Sequence, residues 1–278
     1  GEQLLQTVLP SDVTPQSIPF LYGRALWLAA RLSSTTDASL WAPYFNAATA
    51  VLANTSAPVP IRVCACRALA NFCPEMDRAI VTPLLPTLLQ HVSSLSHSAG
   101  EEVLALVLET LSSLAALSAD ATVAVEEPLS TLAMQAWMSY PNDPVISESA
   151  LDLVEALAAH PPVRVRLEAR ILPHLASVLQ RGTGGDAGQA VVVEGAIGML
   201  TKIVQHADAM APAAVDAVLP PLLGLFQDPE VSALTQAACD CVRACIKACG
   251  PNIASAYVRC ALCLCVFCVL VLCVCVSF

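Results

Sequence analysis

The chain has 278 residues, of which 56% are hydrophobic and only 13% charged, with 11 glycines and few aromatics. So much apolar surface excludes disorder over most of the length, and the abundance of Ala and Leu suits an all-helical protein. A formal net charge of −10 argues against nucleic acid as a direct partner, since phosphate binding needs clustered Lys and Arg, and it favours basic partners.

Residue 1 is Gly, and no charged-then-apolar signal segment follows it, so the chain reads as an internal piece of a longer protein. Ser17 and Pro19 open the first predicted helix, SIPFLYGRALWLAARL. A second is expected over 40–53 and contains Pro43. Pro60 opens a third, starting near Val59 and reading IRVCACRALANF. A fourth is expected over 80–95 around Pro86. Ser98 and Glu101 then have the S-x-x-E spacing of a capping box. On the helix that follows, Leu104, Val107, Leu111 and Leu114 form one apolar stripe at helical spacing.

The next helix is expected over 125–138, with Pro128. In YPNDPVI, Asp143 is a good N-cap and Pro144 takes the first helical position. Ile146, Ala150, Leu153, Val154 and Leu157 make the stripe of the helix behind them. A helix over 165–179 carries Pro173. The glycine-rich stretch RGTGGDAGQ at 181–189 contains Gly182, Gly184 and Ala187 at G-x-G-x-x-A spacing. The dinucleotide fingerprint must follow a strand, so this stretch behind a helix reads as a loop. A helix starting near Gln189, another over 215–226 with Pro220, and a last one opened by Asp228 and Pro229 complete the series.

Five prolines, Pro43, Pro86, Pro128, Pro173 and Pro220, recur at gaps of 43, 42, 45 and 47 residues. Around three of them the text itself repeats, as LLPTLL, ILPHLA and VLPPLL. A period of this length on helical text is the signature of HEAT-type repeats. The expected fold is an all-α, HEAT/armadillo-like solenoid, a right-handed superhelix of antiparallel helix pairs over residues 1–256. In each pair the A helix carries the proline, as a kink, and the B helix follows. The count is five pairs and a leading B helix. Such a fold acts by presenting a long surface to another macromolecule.

No catalytic pattern stands out. G-x-S-x-G and H-E-x-x-H are missing, and the five histidines are scattered, so neither enzyme activity nor a cofactor is expected. Cys64, Cys66 and Cys73 sit on an apolar helix and read as buried reduced thiols. Cys241, Cys245 and Cys249, at i, i+4, i+8, read as helix core rather than a metal site. Arg62 and Arg67 read as a structural ladder or snorkelling stems, with partner contact as the other reading. The charge that suggests a site is negative. Glu148, Asp152 and Glu155 fall opposite the apolar stripe of their helix, and Glu102 and Glu109 do likewise on the preceding B helix. If B helices line the inner side, these five carboxylates form adjacent acidic stripes suited to basic cargo; the plain alternative is an ordinary solvated face.

From Cys260 to Val276 every residue is apolar or Cys. This 257–278 tail reads as a gene-model or truncation artefact, as a tail anchor at the short limit of membrane-spanning length, or as a segment packed on the last repeat. Engagement with a membrane is not expected.

PFLYGRALWLAARLSS at 19–34, EEVLALVLETL at 101–111, YPNDPVI at 140–146 and the RILPHLASVLQ and GAIGMLTKIVQ helices resemble the importin-β (karyopherin-β) family, in the family's order and with similar gaps. The resemblance implies a nuclear transport receptor that shuttles between cytoplasm and nucleus, passes nuclear pore proteins and wraps basic cargo such as core histones and ribosomal proteins. It further implies regulation by the Ran GTPase through N-terminal repeats that this chain lacks. The alternative is a HEAT-repeat interaction scaffold unconnected with transport.

Overall fold

The computed structural model describes residues 1–3, 5–6, 18–98, 100–182, 186–207, 212–227 and 234–249. Among these there is no strand, and the fold is that of an all-α HEAT/armadillo-like solenoid. The leading helix is α1 (Pro19–Leu32). Five A/B pairs follow among the described residues. The first is α2 (Ala38–Ala53) with α3 (Val59–Glu75). The second has a split A element, α4 (Arg78–Val81) and α5 (Leu85–Leu95), followed by α6 (Glu101–Ala115). The third is α7 (Ala119–Val123) and α8 (Glu126–Ser139), then α9 (Pro144–Ala158). The fourth is α10 (Pro161–Arg181) with α11 (Ala187–Gln205), and the fifth α12 (Pro212–Gly224) with α13 (Thr235–Cys249).

The chain divides into two compact units, one of residues Gly1–Ala136 with Glu148–Leu157, the other of Trp137–Ser147 with the chain from Ala158 onward. In the first unit α1, α3 and α6 lie side by side as a B row, backed by α2 and α5. Its core is tied by aromatics. Trp41 stacks on Phe72 with ring centroids 5.2 Å apart, and Phe45 meets the same ring edge-on at 6.2 Å, a geometry worth about 0.5–1.5 kcal/mol beyond burial. In the second unit α10 packs on α11 and α12, and α13 packs on α11 and α12. Most of the apolar stripes read from sequence are buried. Leu104, at the start of its stripe, is half-buried, while Val107, Leu111, Leu114, Ile146, Ala150, Leu153, Val154 and Leu157 all lie in the core. Each contributes roughly 1.5–3 kcal/mol if a Leu, Val or Ile.

Several expectations need correction. Pro43, Pro173 and Pro220 are inside helices, but Pro86 stands in the first turn of α5 and Pro128 in that of α8. There the ring removes a donor that has no intrahelical acceptor anyway, so these two start helices. The Ser98–Glu101 capping box does not form. Gly100 is the N-cap of α6, without a side-chain bond, because the Ser98 hydroxyl donates to Leu95 O at 3.2 Å and accepts from Arg62 Nη1 at 3.3 Å. Arg62 is therefore a buried tie between α3 and the turn before α6, with no acidic partner among the described residues, whereas Arg67 is exposed. Asp143 caps α9 as expected, accepting from Val145 N at 2.9 Å and Ile146 N at 3.0 Å. Asp186 caps α11, and the 181–189 stretch does follow a helix, with Gly182 at φ 62° closing α10. Ser17, Asp228, Pro229 and the 257–278 tail lie outside the described residues.

One recurring device was not read from sequence. Arg78, at the start of α4, donates to Leu117 O just past α6, at 3.3 Å. Arg164, in the first turn of α10, donates to His206 O just past α11. In both pairs a cation from the beginning of the A element satisfies a carbonyl at the end of its B helix, where the helix dipole favours positive charge. Arg164 also lies 3.5 Å from Glu168 Oε1. Burial raises the Glu168 carboxyl above its ordinary range, and the Arg164 charge opposes that rise.

Candidate functional site

The five carboxylates singled out in the sequence all belong to the first unit. Glu102 and Glu109 are exposed on α6. On α9, Glu148 is exposed, while Asp152 and Glu155 are half-buried. The Ser112 hydroxyl donates to Asp152 O at 3.1 Å, which sets α6 directly beside this stretch of α9. Glu109 stands one turn before that tie on α6. Ser112 was not flagged in the sequence; its partner is 40 residues away, about one repeat.

A second exposed surface of the same unit went unread. On α1, Arg24 Cζ sits 5.7 Å from the Phe20 ring centroid and 5.4 Å from that of Trp27. The three residues fall at i, i+4 and i+7, one helix face. Next to them Gly23 meets α3, where a Cβ would come within 2.8 Å of Cys64 Sγ. Burial raises the Cys64 thiol, and the Arg67 and Arg24 charges oppose it, which places both guanidinium groups around that contact. The spacing F-x-x-x-R-x-x-W was the available signal.

Of the three cysteines on α3, Cys66 and Cys73 are core, whereas Cys64, read from the sequence as buried, is half-buried at the contact with α1. Burial pushes the Cys66 thiol up to about 11 and the Cys73 thiol up to about 12. Among the described residues no group of three or more His, Cys, Asp or Glu is placed to hold a metal ion. Cys241 and Cys245 are buried on α13. Among the described residues no helix is long and apolar enough to cross a membrane. A groove of about 220 Å³ lies between α5 and α8, lined by Leu89, Ser93, His97, Val125, Pro128 and Leu129.

Helices paired and stacked in rows within each unit make this a helical-repeat scaffold. No protein-family model matches the chain. Among curated proteins it is similar to Importin-9 of Drosophila melanogaster, with 24% identity over 262 residues. That match covers 90% of this chain and 25% of the relative, so the chain spans about a quarter of that protein's length. Among solved structures it is similar to an engineered protein from a structural genomics target, with a TM-score of 0.61, 18% identity and coverage of 87% of this chain and 96% of the other. It is also similar to a designed armadillo repeat protein, with a TM-score of 0.56, 19% identity and coverage of 85% and 99%. At these identities the structures show the fold alone.

Proposed function

We propose that the chain is the cargo-holding stretch of a nuclear import receptor, and that its α6/α9 surface takes a basic polypeptide. The observation that supports this is the hydrogen bond from the Ser112 hydroxyl to Asp152 O, which sets α6 beside α9; on this reading the exposed carboxylates of the two successive B helices serve one partner. The similarity to Importin-9 supports the transport setting. On this reading residues 1–256 form one solenoid and 257–278 are a separate tail. Regulation by Ran and passage through the pore belong to parts of a longer protein, which cycles between cytoplasm and nucleus.

The chemistry is multivalent attraction. Each exposed carboxylate contributes little alone, about 0.2–1 kcal/mol against a cation, so binding requires several at once and weakens with salt. The test is titration of the full chain with a core histone dimer at low and at physiological salt, beside the variant Glu102→Gln/Glu109→Gln/Glu148→Gln. Binding that falls at higher salt and falls again in the variant is expected. Equal affinity in all four measurements would overturn the reading. The alternative is a HEAT-repeat interaction scaffold unconnected with transport. A full-length transcript that lacks a Ran-binding N-terminal region would favour it.

A further inference from the structure

The B row of the first unit changes sign along its length. At α6 and α9 it carries carboxylates. At α1 and α3 it carries Arg24, Arg31 and Arg67, all exposed, and among the described residues none of the three has a carboxylate within ion-pair reach. Three unpaired guanidinium groups are conspicuous in a chain of net charge −10. Beside them Phe20 is 70% exposed and Leu21 43% exposed.

We propose that this α1/α3 surface is a docking site for an acidic polypeptide segment that bears an aromatic or aliphatic side chain. Charge complementarity selects the occupant. A guanidinium offers a planar fork of donors that matches a carboxylate, and nothing within the described part of the molecule supplies one. Arg24 is held between two rings, so its side chain is partly ordered in advance and loses less freedom on binding. Phe20 and Leu21 supply apolar area for a hydrophobic residue of the partner. A nucleic acid fits less well, although it too is anionic and stacks on aromatics. The α6 acids lie two helix spacings from α1, roughly 20 Å, which is beyond a Debye length of about 8 Å at physiological salt. A short acidic segment stays within α1 and α3, whereas a longer phosphate chain runs on into Glu102 and Glu109. The proposal is independent of the basic partner assigned to α6 and α9.

The test uses the full chain and a short fluorescein-labelled peptide of Asp and Glu with one central Phe, followed by fluorescence anisotropy. The expected result is saturable binding that weakens about tenfold in Arg24→Glu/Arg67→Glu, because each reversal turns a surface attraction into a repulsion. Phe20→Ala is expected to weaken it several-fold and to leave a Phe-free peptide unaffected. Should the double variant lose its helical circular dichroism, Arg67→Glu alone is read instead, since that side chain is exposed. No binding by the unaltered chain, or equal binding by the charge-reversed chain, would overturn the proposal. So would displacement of the peptide by a single-stranded RNA of equal charge that itself binds tighter and is equally sensitive to Arg24→Glu/Arg67→Glu.

Discussion

Gly195 has no room for a side chain. It sits inside α11, and a Cβ there would come within 2.1 Å of Trp137 Nε1 and 3.0 Å of Cε2. Trp137 is among the largest fully buried side chains, so its ring has nowhere to turn. In an open helix Gly→Ala gains up to about 1 kcal/mol from propensity. Here overpacking reverses the sign, by about 1–3 kcal/mol. Gly195→Ala is therefore expected to lower the thermal midpoint, while Gly224→Ala, where no atom lies within 4 Å of the added Cβ, is expected not to. A raised midpoint in Gly195→Ala would show that the ring can yield. Neither glycine announces its role in the sequence, since both stand in ordinary helical text and the partner ring of Gly195 lies about one repeat and a half away.

Helix starts divide into those set locally and those set from afar. Asp143 caps α9 through two amide donors two and three residues ahead, and a cap that is complete within four residues can be read from them. Asp143→Ala should cost about 1 kcal/mol, and Asp143→Asn should restore most of it. Hydrogen exchange at Val145 and Ile146 would show both, and no change in Asp143→Ala would mean that the cap is idle. Ser98 shows the opposite case. Its spacing to Glu101 is right, but Arg62 reaches across from α3 and the hydroxyl is taken. The proline period made the repeats legible because a solenoid imposes one text on every unit. The Arg78 and Arg164 ties were not legible, because each joins residues 39 and 42 positions apart and only the pairing of A with B brings them together. The candidate surface was half legible for a related reason. Carboxylate stripes show as periodicity, whereas the Phe20–Arg24–Trp27 stack shows in the sequence only as the spacing F-x-x-x-R-x-x-W, and that Arg24 has no acidic partner among the described residues is seen only in the fold.

At the scale of the whole chain, the repeat architecture decides how far a local defect is felt. Stability in a solenoid is close to a sum over repeats and their nearest-neighbour interfaces, so a lesion in one unit should stay there. Gly195→Ala strains α11 within the second unit, where α11 packs on α10 and α13. Phe72→Ala removes the ring shared by Trp41 and Phe45 in the first unit and should cost about 3–5 kcal/mol. Under native conditions Gly195→Ala is expected to speed amide exchange in α10, α11 and α13 while α2, α3 and α5 keep their protection. Phe72→Ala is expected to do the reverse. Mass-resolved hydrogen exchange on the full chain separates the two patterns, because each unit supplies its own peptides. If either substitution instead lowered protection uniformly from α1 to α13, the chain would be unfolding as one cooperative body, and near-neighbour stacking would not be what holds it together.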